Sequence, residues 1–155
     1  MVEEIKTPNK KKNNAFISAI GRRRGAVARV RIYAKIPSSL KFDEILVKKG
    51  DMVVNGRNIV DYFHGEVAKA SYELPLKLTN NLNKLSITVK AEGGGLAGQL
   101  DATVLGIARA LSALDETFRP ILKKRGLLTR DARVRERRKV GMGGKSRRKK
   151  QSPKR

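Results

Sequence analysis

Residues 85–114 read LSITVKAEGGGLAGQLDATVLGIARALSAL, and the change of period in the middle of this stretch decides the fold. Leu85, Ile87 and Val89 alternate with Ser86, Thr88 and Lys90, the two-residue period of a strand with one face buried. Beyond the glycines the apolar residues Leu100, Val104, Ile107, Leu111 and Leu114 recur at steps of four and three. That spacing predicts a helix to about Leu114 with one apolar stripe laid across a sheet. Ala102, Ala108, Ala110 and Ala113 add helix propensity. A strand that feeds a covering helix through a glycine turn implies a fold in which sheet and helices share one core.

The turn also matches Gly93-x-Gly95-x-x-Gly98, formally the fingerprint of a dinucleotide site, with Asp115 and Glu116 about twenty residues on. The fingerprint's acid belongs at the end of a second parallel strand, whereas these acids sit at the C-terminus of the helix itself. A phosphate-loop reading fails because Gln99 and Leu100 stand where Lys and Ser or Thr are needed. Two uses of Gly93, Gly94, Gly95 and Gly98 stay open. Either the bare backbone and free helix N–H groups approach a phosphate, or the glycines allow a tight strand-to-helix turn against the sheet.

Upstream, a strand-like pattern begins near Ala15 with Phe16, Ile17, Ala19 and Ile20 and passes Gly21-Arg22-Arg23-Arg24-Gly25. After it Ala26, Ala28, Val30 and Ile32 share one face, and Val27, Arg29, Arg31 and Tyr33 the other. The second face suits either solvent or phosphate. Pro37-Ser38-Ser39 breaks the run. Two short strands, Ile45–Lys48 and Met52–Val54, are expected on either side of the Lys49-Gly50-Asp51 turn. Asn58 should cap a short helix that turns Ile59, Tyr62 and Phe63 inward. Glu66 to Ser71 reads as one or two helical turns that Pro75 stops. Thr117 should cap a last helix through Phe118, Ile121 and Leu122, with Pro120 in its first turn and Gly126 ending it.

From Gly126 to Arg155 the chain changes character. Thirteen Lys or Arg face two acids, Asp131 and Glu136, and little apolar surface is offered beyond Leu127, Leu128, Val134, Val140 and Met142. Such a segment cannot offset its ordering entropy and needs a polyanion to take shape. The whole chain points the same way, with 36 Lys and Arg against 14 acids in 155 residues, a formal charge of +22 and a pI near 10.9. The partition expected is a polar extension over residues 1–14, one domain over 15–125 and a basic extended tail over 126–155. Nucleic acid is the favoured partner, since no stretch joins a long apolar face to a basic one as a membrane-surface helix does. The start, MVEEIKTPNKKKNN, resembles neither a secretory signal nor a transit peptide, so a cytoplasmic address is expected. Without Cys, and with His64 as the one histidine, no metal site, cofactor or catalytic constellation is expected.

Several stretches taken together resemble the universal S-nine family of small-subunit ribosomal proteins, bacterial type. They are Gly21-Arg22-Arg23-Arg24 with Ala26–Val30, Val54-Asn55-Gly56-Arg57, Tyr62-Phe63, Val89 through Gly93-Gly94-Gly95 to Gly98-Gln99, Gly106–Leu111, and Leu128–Arg133 with Glu136–Gly141. The resemblance implies an α+β two-layer sandwich, a sheet of about four strands covered by helices as in the second domain of ribosomal protein S-five. It implies a structural role without enzyme activity: binding to 16S-type ribosomal RNA in the head of the small subunit beside neighbouring head proteins, without homo-oligomerisation. The tail would reach peptidyl-site transfer RNA. Arg22, Arg23, Arg24, Arg29, Arg31, Arg57 and Arg109 would then anchor the domain on RNA. Arg130, Arg133, Arg137, Arg138 and Lys139 would pin the root of the tail, Arg147, Arg148, Lys149 and Lys150 would follow the RNA backbone, and Lys154 and Arg155 would form the tip near transfer RNA. The family commonly ends Gln-Phe-Ser-Lys-Arg, and here the end is Gln151-Ser152-Pro153-Lys154-Arg155. The aromatic contact is therefore not available. A sequence-independent nucleic-acid compactor is the alternative.

Overall fold

A computed structural model describes residues 16–34, 41–42 and 45–137. In chain order the elements are β1 (Ile17–Arg23), β2 (Ala26–Tyr33), β3 (Lys41–Phe42), β4 (Ile45–Leu46), β5 (Met52–Val54), β6 (Arg57–Asn58), α1 (Ile59–Tyr62), α2 (Glu66–Leu78), β7 (Ser86–Glu92), α3 (Leu96–Leu114) and α4 (Phe118–Lys124). Five strands form one mixed sheet in the order β1-β2-β7-β5-β6, and β3 with β4 makes a separate ladder. All pairings are antiparallel except β5 with β7, which run parallel and are joined through β6, α1 and α2. This is the expected α+β sandwich, with a fifth strand that is only two residues long.

The alternation read in β2 and β7 is the one that builds the core. Across the sheet Ala28 pairs with Ala91, Val30 with Val89 and Ile32 with Ile87, so the apolar sets of both strands meet on one face. All six are buried there, and α3 crosses that face over β1 and β2, with α2 and α4 packed on α3. The crossing is close because two glycines make room. An added Cβ at Gly21 would fall on the carbonyl oxygen of Ala102 and come 2.6 Å from the amide nitrogen of Gly106. One at Gly106 would meet Val30 Cγ2 at 2.5 Å. The buried face of α3 is thus broader and smaller-grained than the expected stripe: Ala102, Gly106 and Ala110 lie inside with Ile107 and Leu111, while Leu100, Val104 and Leu114 are half-buried.

Three local expectations are corrected. The strand expected over Ile45–Lys48 is cut short, β4 ending at Leu46, while the turn at Lys49-Gly50-Asp51 is present, with the Asp51 N–H donating to Lys48 O at 3.2 Å, and β5 follows it over Met52–Val54 as read. β4 pairs back with β3, whereas β5 pairs with β7, a choice made by distant strands and not by the turn. Pro75 does not stop α2, which runs 13 residues through it. Tyr72, Pro75 and Leu76 are spaced for one face and all are buried, and this packing offsets the roughly 3 kcal/mol that an interior proline costs. Thr117 holds the capping position of α4 without a side-chain bond; the Asp115 carboxylate instead accepts the Thr117 N–H at 2.9 Å, which holds the Asp115 carboxyl below its usual range. Ile121 faces solvent and Leu122 carries the burial.

Other endings are as read. The Asn58 side chain accepts the Val60 N–H at 3.2 Å, capping α1. Gly126, with φ 72°, closes α4: its N–H donates to Lys123 O and that of Leu127 to Leu122 O, satisfying carbonyls the helix leaves free. Leu127 and Leu128 then pack against the core.

Candidate nucleic-acid interface

Strand alternation that sends Ala28 and Val30 inward must send their neighbours outward. On the face of the sheet opposite α3 stand Arg22 of β1, Arg29 and Arg31 of β2 and Lys90 of β7, all exposed. Arg29 and Lys90 are cross-strand partners, a like-charge pair that would repel. Glu92, two residues along β7, lies 3.5 Å from Arg29 Nη1 and 3.4 Å from Lys90 Nζ and bridges them. Arg31 stacks its guanidinium 5.0 Å from the Phe16 ring centroid, and Phe16 in turn lies 5.7 Å from Tyr33. An arginine fixed by an aromatic ring keeps its fork of donors free for phosphate oxygens. Lys90 and Phe16 were not among the sequence-derived candidates; the register that aligns β7 with β2 identifies the first.

A second cationic surface lies beyond the hairpin tip. Arg23, Arg24, Arg133, Val134 and Arg135 line an open cleft of about 420 Å³ between the β1–β2 turn and the segment that follows α4. Arg24 has φ 51°, a left-handed conformation that costs a non-glycine residue about 1 kcal/mol. Arg23 is largely enclosed and already paired, its Nε 3.3 Å from Asp101 Oδ2 on α3 and its Nη1 2.8 Å from Asp131 Oδ1. Asp131 also takes the Arg133 backbone N–H at 2.9 Å and the Arg133 guanidinium in a fork, with Nη2 to Oδ2 at 2.7 Å. The Arg133 hydrogen bonds, chiefly from its side chain, hold the Asp131 carboxyl well below the usual range, and the same bond raises Arg133. Residues 131–137 carry no helix or strand, so these ion pairs and the Leu127 and Leu128 contacts set the direction in which the chain leaves α4.

The remaining predicted residues separate. Arg57 lies exposed in β6, at the opposite edge of the sheet from β1. Arg109 donates to Ile20 O at 2.9 Å and so ties α3 to the edge strand. Arg130 and Arg137 are exposed along the departing segment. Arg138, Lys139, Arg147, Arg148, Lys149, Lys150, Lys154 and Arg155 lie outside the described residues, as does the extension over residues 1–14.

For the glycine turn the structure gives a packing reason. Gly93 and Gly94 have φ 71° and 63°; a Cβ on the first would meet Gly25 O at 2.5 Å, and one on the second would crowd Ala26 at 3.1 Å. The turn is therefore pressed onto the tip of the β1–β2 hairpin. Gly98 is buried near Ala26, while Gly95 is exposed and nothing would obstruct a Cβ there. A polar chain holds the turn from the other side. Asn55, at φ 47°, accepts the Ala91 N–H at 2.9 Å and donates to Ala91 O at 2.8 Å; Tyr62 donates to Gln99 at 2.7 Å, and Gln99 donates to Gly93 O at 3.1 Å. Among the described residues there is no cluster of three or more potential metal ligands, and no helix is long and apolar enough to cross a membrane.

The chain matches the family model described as Ribosomal protein S9/S16 over residues 21–155. It is 45% identical to the small ribosomal subunit protein uS9 of Maridesulfovibrio salexigens over 129 residues, 83% of this chain and 89% of that protein. It is 44% identical to the proteins of the same name from Anaeromyxobacter sp. (strain K) and Anaeromyxobacter dehalogenans over 125 residues, 81% of this chain and 86% of each. A match that begins at the glycine enclosed under α3 and runs through β2, the Asn55 turn, the glycine turn and the basic segment takes in every basic residue of the two cationic surfaces, and the chain belongs to the ribosomal protein S9/S16 family.

Proposed function

We propose that this protein is a structural constituent of the small ribosomal subunit that neutralises ribosomal RNA phosphates on two surfaces flanking the β1–β2 hairpin, and extends its tail towards transfer RNA in the peptidyl site. The family consists of ribosomal structural proteins and not enzymes, so membership gives the chain a structural role in the ribosome. Ribosomes are cytoplasmic in bacteria, the source of the relatives named above.

The observation that carries the RNA reading is the convergence of the Arg24, Arg133 and Arg135 cleft with the Arg22, Arg29, Arg31 and Lys90 sheet face around one hairpin. Charge alone does not build two such surfaces. Arginine forks can take phosphate oxygens bidentately, and lysine follows an irregular backbone as a point charge, so neither needs to read base sequence. Residues 15–125 act in this reading as a folded anchor and residues 126–155 as the RNA-following tail, with Lys154 and Arg155 at its tip. The exposed start of α3 leaves room for a phosphate near Gly95, while Gly93 and Gly94 are already committed to the hairpin.

Sedimentation of tagged protein through a gradient tests the reading. Migration with small subunits is expected, and recovery solely in the free protein pool would overturn it. Truncation after Leu128 should keep the domain folded and flatten the salt dependence of binding to small-subunit RNA. An unchanged slope would remove the tail from the interface.

A further inference from the structure

One surface departs from the cationic pattern. Between Arg57 and Lys69 the chain has no Lys or Arg and carries two exposed acids, Asp61 and Glu66. This stretch forms α1, the α1–α2 turn and the start of α2, and with the first turn of α3 it bounds a groove of about 210 Å³ lined by Tyr62, Phe63, His64, Ala68, Leu96 and Leu100. Val67 beside it is 82% exposed and Leu96 at its mouth 58% exposed. Phosphate would be repelled by the acids and find no Lys or Arg among the lining residues.

We propose that this groove receives a basic segment of a neighbouring ribosomal protein, one or two apolar side chains entering the groove while flanking Lys or Arg meet Asp61 and Glu66. The inference rests on the ribosomal reading above and adds a protein-facing surface to its two RNA-facing ones. The volume lies below the roughly 300–1,000 Å³ typical of small-molecule pockets, and suits the anchoring side chains of a protein contact. The charge selects the partner: in a particle built on polyanionic RNA, an apolar groove walled by a stretch that carries two acids and no Lys or Arg gains most from a cationic protein surface.

A photoreactive residue placed at position 67 of the full chain tests this, with one at position 31 as reference. Neither side chain belongs to the core. In purified small subunits position 67 should crosslink to a protein, through a peptide in which Lys or Arg flanks apolar residues, and position 31 to RNA. Adding Asp61→Lys and Glu66→Lys should lower the yield from position 67 by roughly threefold or more and leave that from position 31 unchanged. A crosslink from position 67 to RNA, to a second copy of this chain or to nothing, with position 31 still on RNA, overturns the groove proposal alone. Failure of the chain to enter the particles overturns the ribosomal reading and the groove proposal with it.

Discussion

Arg23 Nη1 lies 2.8 Å from Asp131 Oδ1, so the end of the first strand grips the segment that leaves the last helix. Asp131→Asn should release that grip without disturbing the sheet. Faster amide exchange is expected at residues 127–133 with β2 and β7 unchanged; protection that stays equal at both places would show that Leu127 and Leu128 hold the segment unaided.

The Arg133 fork on Asp131 fixes a pH response, since it is the chief cause that holds this carboxyl low and Arg23 adds the least. A carboxyl whose folded pKa is depressed contributes stability above its unfolded value and loses it as pH falls through the folded one. Asp131 lies well below its ordinary 3.8, so the contact should persist from neutral pH down to about that value and open only in stronger acid. Arginine side-chain signals of Arg133 followed through an acid titration check this, and release above pH 5 would contradict it.

Gly21→Ala should be among the costliest single changes, because the new methyl meets helix backbone that no side-chain rotation can move aside. A loss of roughly 3 kcal/mol in denaturant unfolding is expected. Gly95→Ser, with open space and extended backbone, should leave stability within a few tenths of a kcal/mol. Its RNA affinity is the informative reading: a clear loss would mean that the bare backbone there approaches phosphate.

Arg24→Gln, Arg133→Gln and Arg135→Gln combined should lower the slope of log K against log salt by about 2, at roughly 0.7–0.9 per phosphate contact. Arg109→Gln should leave the slope alone and cost about 1 kcal/mol of stability, since its donor serves Ile20 O. Interchanged outcomes would reassign the two roles.

Asn55→Ala removes both hydrogen bonds to Ala91 and places a methyl side chain at φ 47°. A loss of about 2–3 kcal/mol is expected in chemical denaturation. Asn55→Gly, which is at ease with that backbone, should lose less.

What was readable in the sequence is what local period and helix ends determine. Ala26, Ala28, Val30 and Ile32 were assigned to one face because a half-buried strand repeats every two residues, and they are that face. Asn58 and Gly126 announced helix ends because their chemistry satisfies backbone groups nearby in the chain. Pro75 misled because propensity is local and the burial of Tyr72 and Leu76 is not. The parallel pairing of β5 with β7 and the two-residue β6 left no mark in any short window. For the candidate interface, the basic residues were visible as a list. That Arg23 and Arg109 are engaged within the protein, and that Arg24, Arg133 and Arg135 share a cleft, depends on partners far apart in the chain.

The position of β7 bears on how the protein is made. It is the third strand of the sheet in space and the last in synthesis, flanked by β2 on one side and β5 on the other. A nascent chain that has reached Lys84 holds two halves of a sheet with nothing to join them, and α3, which covers β1 and β2, comes later still. Closure must therefore wait for residues 86–114, and α4 and the cationic segment are translated after it. The polypeptide has its scaffold in place before the most densely cationic stretch of the sequence, residues 126–155, emerges.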